Sequence, residues 1–237
     1  MKEHDAIITG AGSGIGRAVA LDLAKNAQPI RLLLVGRTEK KLKQTAAMIS
    51  DISSASVHVY SIDLNQLGAG KLIAEKASNL LGDIDAIFHV AGDAPMKSID
   101  KYTGQEIDRC LRVNLGVGIE IVANIWNHLK QHPRSFVGFV SSMASVDPFP
   151  GFSLYAAAKV GVNMFIKCVA EQGAEHGIRS LAVAPGAVET PMLRSLFDQD
   201  TIPKDQTLSP QQVASVLVEA YLEKREFTSG QTIMMPS

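Results

Sequence analysis

A chain of 237 residues, 46% hydrophobic and 20% charged, is sized for one α/β core and has the apolar fraction of a folded globular protein. Its formal net charge of −1, with lysines and arginines scattered, excludes the cationic face that a nucleic-acid partner requires. No uncharged apolar run reaches the ~18 residues needed to cross a bilayer, and the N-terminus lacks the long apolar core of a secretion signal, so a cytoplasmic protein with no membrane partner is expected.

Residues 6–9 are the first of a series of short apolar runs rich in β-branched residues, followed by 30–35, 57–62, 86–90, 135–140, 180–184 and 232–235; each predicts a buried strand. Between them 15–25, 39–52, 67–81, 104–129, 153–176 and 210–224 carry helical periodicity. Strict alternation predicts parallel strands joined by crossover helices on both faces: a doubly wound α/β sheet, one domain over 1–237, with ligands at the carboxyl ends of the strands. The 104–129 and 153–176 helices carry apolar or small residues on nearly every face, more than contact with a sheet uses, so part of each is expected to meet another subunit in a homodimer or homotetramer. Cys110 and Cys168 lie in these helices with no C-x-x-C pair, and are expected as buried thiols of a reducing compartment. His128 and His132 have the spacing of a metal pair, but no Glu stands between them and Pro133 ends the helix; they are expected to face solvent at a helix C-terminus, with no metal site.

Directly after the first strand comes Thr9-Gly10-Ala11-Gly12-Ser13-Gly14-Ile15-Gly16, with a helix starting inside it. Glycines at a strand-to-helix junction let backbone amides and the helix N-terminus approach a pyrophosphate. A P-loop is excluded because no Gly-Lys-Ser/Thr follows. Farther on, Tyr155-Ala156-Ala157-Ala158-Lys159 sets a phenol and an amine on one helix face, where the ammonium is expected to lower the phenol pKa from near ~10. Ser142 stands thirteen residues earlier, at the end of the fifth strand.

Thr9-Gly10-x-x-x-Gly14-x-Gly16 and Tyr155-x-x-x-Lys159 resemble the motifs of the short-chain dehydrogenase/reductase family, and the similarity continues in the family's order along nearly the whole chain. The resemblance implies a Rossmann fold binding a nicotinamide dinucleotide through Gly10, Ser13, Gly14, Ile15 and Gly16, with Asp63-Leu64 at adenine. Ala91-Gly92 matches half of the family's Asn-Asn-Ala-Gly. In Pro185-Gly186-Ala187-Val188-Glu189-Thr190 the Val188 backbone and Thr190 hydroxyl would bond the nicotinamide carboxamide. The implied mechanism is direct hydride transfer between nicotinamide and a carbonyl or alcohol carbon. Tyr155 would be the general acid or base, Ser142 would bind the substrate oxygen, Lys159 would hold the nicotinamide ribose, and Asn114 would hold a water linking Lys159 to solvent. Gly36 occupies the position of the acid that accepts the ribose 2′-hydroxyl of NAD, with Arg37 beside it able to bond a 2′-phosphate, so NADP(H) is favoured over NAD(H); Ser13 stands where many NADP-preferring relatives carry a basic residue.

Two departures stand out. His89-Val90 replaces the usual Asn-Asn, which implies altered local bonding rather than lost activity, with His89 a packed or hydrogen-bonded strand histidine. The chain ends Gly230-Gln231-Thr232-Ile233-Met234-Met235-Pro236-Ser237 without Asp-Gly-Gly, which bears more on a tetramer's tail contact than on a dimer. Residues 191–210 fall where the family places its substrate loop. Met192, Leu193, Leu196 and Phe197, with Phe149 and Phe152, could line an apolar pocket, favouring a small, fairly apolar carbonyl or alcohol substrate. The alternative is a non-catalytic dinucleotide-binding regulatory protein on the same fold.

Overall fold

A computed structural model describes residues 4–237. Strands β1 (His4–Thr9), β2 (Ile30–Gly36), β3 (Ser56–Ser61), β4 (Ala86–His89), β5 (Phe136–Val140), β6 (Arg179–Pro185) and β7 (Gln231–Met235) form one parallel sheet in the order β3-β2-β1-β4-β5-β6-β7. Its helices are α1 (Gly14–Asn26), α2 (Glu39–Ser50), α3 (Ala69–Leu81), α4 (Gly104–Leu111), α5 (Val117–Gln131), α6 (Ser153–Gly173), α7 (Pro191–Leu196) and α8 (Pro210–Tyr221). Parallel neighbours need long crossovers, and these helices supply them while covering both faces. Residues of α1, α2 and α8 form one buried cluster with the sheet, and those of α3, α5 and α6 form the other. The central strands are buried along both faces, as near-continuous apolar runs such as Ile7-Ile8 and Leu32-Leu33-Leu34-Val35 require. At the junction of β1 and α1 a side chain on Gly16 would meet the Gly10 carbonyl oxygen at 2.3 Å, so only glycine lets this helix start against its strand.

Four expectations need correction. Residues 104–129 are not one helix: a π-helical turn over Arg112–Gly116 separates α4 from α5 and carries Asn114. Such a turn accommodates an extra residue that apolar periodicity does not register. The expected 191–210 loop begins with α7, capped by the Thr190 hydroxyl on the Leu193 amide at 3.2 Å. Cys110 is buried, but Cys168 is exposed, on the side of α6 that also exposes Val160 and Met164. His128 and His132 are half-buried rather than turned to solvent: the first bonds Ser78 Oγ at 3.0 Å, and the second lies 3.8 Å from Asp83.

The sheet changes direction between β1 and β4, where Thr9 and His89 hold the strands together. Thr9 Oγ1 accepts from the Val90 and Ala91 amides at 3.1 and 3.2 Å, so its own proton goes to His89 Nδ1 at 2.9 Å. His89 is then the Nε2–H tautomer, donating to the Val113 carbonyl in the π-turn at 3.2 Å. The expected hydrogen-bonded strand histidine is present, and it bridges two elements. Burial, reinforced by the nearby Lys159 ammonium, pushes its pKa down from 6.5 to about 3 and keeps it neutral.

Thr9→Val keeps the shape and strand preference but strands two amides and a ring nitrogen; urea unfolding is expected to show a loss of about 2–3 kcal/mol. The unfolded chain protonates His89 near pH 6.5, whereas the native chain refuses that proton until about 3. The histidine's contribution is therefore complete above pH 6.5 and is lost as pH falls toward 3, at up to about 1.4 kcal/mol per pH unit. Urea unfolding between pH 7 and 4.5 is expected to show a shallower decline for His89→Asn than for the parent; parallel curves would refute the neutral assignment.

Candidate active site

The carboxyl ends of the strands open on a cleft of about 530 Å³ above the β1/β4 junction. Every residue singled out from the sequence for cofactor or chemistry lines this cleft, from Gly10 and Arg37 at one end to Tyr155 and Thr190 at the other, except Asn114. The α1 N-terminus faces it. Ser13, the N-cap, makes no side-chain capping bond, and the first turn carries no acidic side chain, so the helix dipole is left for an anion. Gly14 has φ +52°, and a side chain there would press on Thr190 Cγ2 at 3.0 Å; the missing side chain keeps open a passage between glycine loop and α7. Arg37 is exposed where it lines the cleft, with Lys41 also on the wall. Uncapped amides, a glycine cradle and a cationic rim suit an extended dinucleotide with its pyrophosphate at α1.

Lys159 is 2% exposed, its Nζ donating to the Val140 carbonyl at 2.8 Å and lying 5.4 Å from the centre of the Tyr155 ring. The Ser141 hydroxyl donates to the Lys159 carbonyl at 3.2 Å, fastening the end of β5 to α6. Adjacency of phenol and amine is as expected, but the expected lowering of the phenol pKa is not found. Burial pushes Tyr155 up to about 12, opposed by the neighbouring Ser142 hydroxyl, and burial pulls Lys159 down to about 8. Desolvation is the leading cause at both groups, with the ammonium 5.4 Å from the ring centre. Ser142 Oγ accepts from the Ala144 amide at 3.1 Å, which fixes its side chain at the start of a short turn beyond β5.

Asn114 sits behind the cleft wall, fully buried. Its amide donates to the carbonyls of Asp93 and Cys110 at 2.7 and 2.9 Å, and its Oδ1 accepts from the Asp93 amide at 3.3 Å. The side chain thus clamps the segment following β4 through both the amide and the carbonyl of Asp93. A side chain on Gly92 would stand 3.0 Å from Asn114 Oδ1 and 3.8 Å from Lys159 Nζ, so the close packing here requires glycine.

Several residues that hold the site were missed in the sequence. Arg17 braces the glycine loop through the Gly12 carbonyl and through Thr45, whose hydroxyl donates to the Ala11 carbonyl at 2.9 Å. Its signal was a lone cation one turn into α1, with no partner identifiable from spacing. Arg194 clasps the segment after β6, donating to Glu189 Oε1 at 2.8 Å and to the Asp198 and Ile202 carbonyls at 2.9 and 2.8 Å. Arg109 reaches Asp93 at 3.1 Å on the cleft wall, and both residues are far apart in sequence.

Comparison with known proteins follows the same lines. An uncharacterized oxidoreductase of Listeria monocytogenes serovar 1/2a is 28% identical, the match covering 98% of this chain and 98% of that protein. The structure of a 3-ketoacyl-(acyl-carrier-protein) reductase from Brucella melitensis complexed with NADH superposes with a TM-score of 0.86 at 25% identity, covering 98% of this chain and 96% of that one. An alcohol dehydrogenase from the archaeon Thermococcus sibiricus complexed with 5-hydroxy-NADP gives 0.87 at 22% identity over 100% and 97%, a likeness of fold. The sequence profile of the short chain dehydrogenases matches residues 4–201, and on that extent of agreement the chain belongs to the short chain dehydrogenase family and is an oxidoreductase of that family.

Proposed function

We propose that the protein is an NADP(H)-dependent oxidoreductase interconverting a carbonyl and an alcohol on a small, fairly apolar substrate. The observation that carries this reading is the placing of a half-buried phenol, Tyr155, between Ser142 and the buried Lys159, at the far end of a cleft whose near end is an uncapped helix N-terminus. When bound, the dinucleotide supplies or accepts a hydride. The protein's own residues handle the proton. With its pKa pushed up to about 12, Tyr155 keeps its proton at neutral pH and can give it to the substrate oxygen as hydride arrives at carbon. Ser142 bonds that oxygen as charge develops. The Lys159 ammonium stabilises the phenolate left behind and binds the ribose; Asn114, through Asp93, holds the wall at Gly92 in place.

The Brucella and Thermococcus structures carry NADH and an NADP derivative respectively, so the fold accepts either. The preference for NADP(H) rests on Gly36, which presents no carboxylate to repel a 2′-phosphate, and on Arg37, with Lys41 as a second cation. Ile107, Leu111 and Ile119 on the α4 to α5 segment, with Val160 and Met164 on α6, are exposed apolar residues. They support a homo-oligomer built on these helices. Among the described residues no helix is long and apolar enough to cross a membrane, and both cysteines are free thiols, which supports a cytoplasmic setting.

Tyr155→Phe is expected to lower kcat about 10³-fold with cofactor Kd changed less than threefold by fluorescence titration; retained turnover would remove Tyr155 from the mechanism. Arg37→Ala is expected to reduce the ratio of kcat/KM for NADPH over NADH about tenfold, read from absorbance at saturating carbonyl substrate. Since Lys159 loses its charge above about 8, carbonyl reduction is expected to hold steady below that pH and decline above it.

A further inference from the structure

Resting on the oxidoreductase reading, we propose that the substrate half of the cleft is built for a flat, conjugated ring system attached to the reacting carbonyl, rather than for an aliphatic chain. Tyr155 is the inner end of a continuous aromatic wall. Phe152 meets it edge-on, with ring centres 5.8 Å apart and planes at 66°. Phe197 lies nearly parallel to Phe152, at 6.2 Å and 23°. Phe149 closes the group edge-on to both, at 5.6 Å and 68° to Phe152 and at 6.1 Å and 90° to Phe197. A wall that alternates ring faces and ring edges offers a planar π-system both stacked and T-shaped contacts, which a saturated chain cannot use. Met143 and Met192, also on the cleft, add polarizable sulfur suited to aromatic edges.

Two features show that the wall is held in place to be used. Phe149 is 53% exposed although it lines the cleft, so a ligand gains by covering it. Phe197 belongs to the segment after α7, where its own amide donates to the Leu193 carbonyl at 2.8 Å and Arg194 holds the residues just beyond it through the Asp198 and Ile202 carbonyls. Arg109 and Asp93, also on the cleft, pair with each other at 3.1 Å, so that guanidinium is already met within the protein.

The test compares 2-acetonaphthone, its ring-saturated decahydro analogue and 2-dodecanone, measuring kcat/KM with NADPH and, separately, Kd by isothermal titration onto the protein. The naphthyl ketone is expected to bind at least tenfold more tightly than either saturated ketone. Phe149→Leu, at an exposed position, and the double variant Phe149→Leu/Phe197→Leu keep apolar bulk while removing the rings. They are expected to reduce the naphthyl-over-decahydro ratio about threefold and tenfold, in Kd and in kcat/KM alike. The change in ratio cancels the intrinsic difference in carbonyl reactivity. A preference for the saturated ketones, or a ratio unmoved by both variants, overturns the proposal. Preferential binding of the naphthyl ketone without turnover of any ketone would support the aromatic wall and count against the oxidoreductase reading alone.

Discussion

Parallel strand pairing governs this molecule from end to end. Because neighbouring strands run the same way, every crossover carries the chain back across one face of the sheet or the other, and every strand delivers its carboxyl end to one edge. The order β3-β2-β1-β4-β5-β6-β7 adds a single reversal, after which successive units wind away from β1 in the opposite direction. Loops following β1 and β4 therefore part company and leave a crevice between them. Beyond the backbone pairing of β1 with β4, the crevice is tied by the Thr9 hydroxyl, which satisfies two amides beyond β4 and a histidine ring within it. The same ring reaches Val113, so a strand junction, a helix irregularity and the rear wall of the cleft share one chain of hydrogen bonds.

Burial then sets the chemistry of the groups that line this crevice. Lys159, Tyr155 and His89 are each displaced toward their neutral forms, and in all three desolvation is the first cause. A protein that keeps an amine 2% exposed must offer it something, and the Val140 carbonyl does so from the end of β5. This arrangement keeps the phenol protonated and the lysine within easy reach of losing its charge. Electrostatic attraction between the two side chains is secondary to the environment that encloses both.

The sheet and its strand positions were legible in the sequence because they rest on period and local spacing, whereas the clustering of the glycine loop with Tyr155 and Lys159 was legible only through the family resemblance. Apolar runs of four to six residues with β-branched members suit a sheet covered on both faces, and that reading located each strand to within a few residues. Less accessible were effects that depend on direction rather than spacing. Tyr155 and Lys159 share a helix face, yet where the ammonium points is decided by Val140, nineteen residues away. Asn114 was identified by position, but its bond to the Asp93 carbonyl, twenty-one residues back, leaves no trace in local spacing. Arg17, Arg109 and Arg194 act on backbone carbonyls or on carboxylates, contacts that leave no periodic trace.

The π-turn over Arg112–Gly116 reaches beyond the cleft. Leu111 and Ile119 are eight positions apart, which in an uninterrupted helix would rotate one about 80° from the other; with one residue absorbed by the wider turn they behave as though seven apart and fall within about 20°. Ile107, Leu111 and Ile119 are thereby brought into a single exposed stripe, while Asn114 is turned inward to Asp93. One surplus residue thus aligns an outer surface and an inner clamp together. A lineage that lost it would have to rebuild both at once, so this stretch should tolerate changes of residue far more readily than changes of length.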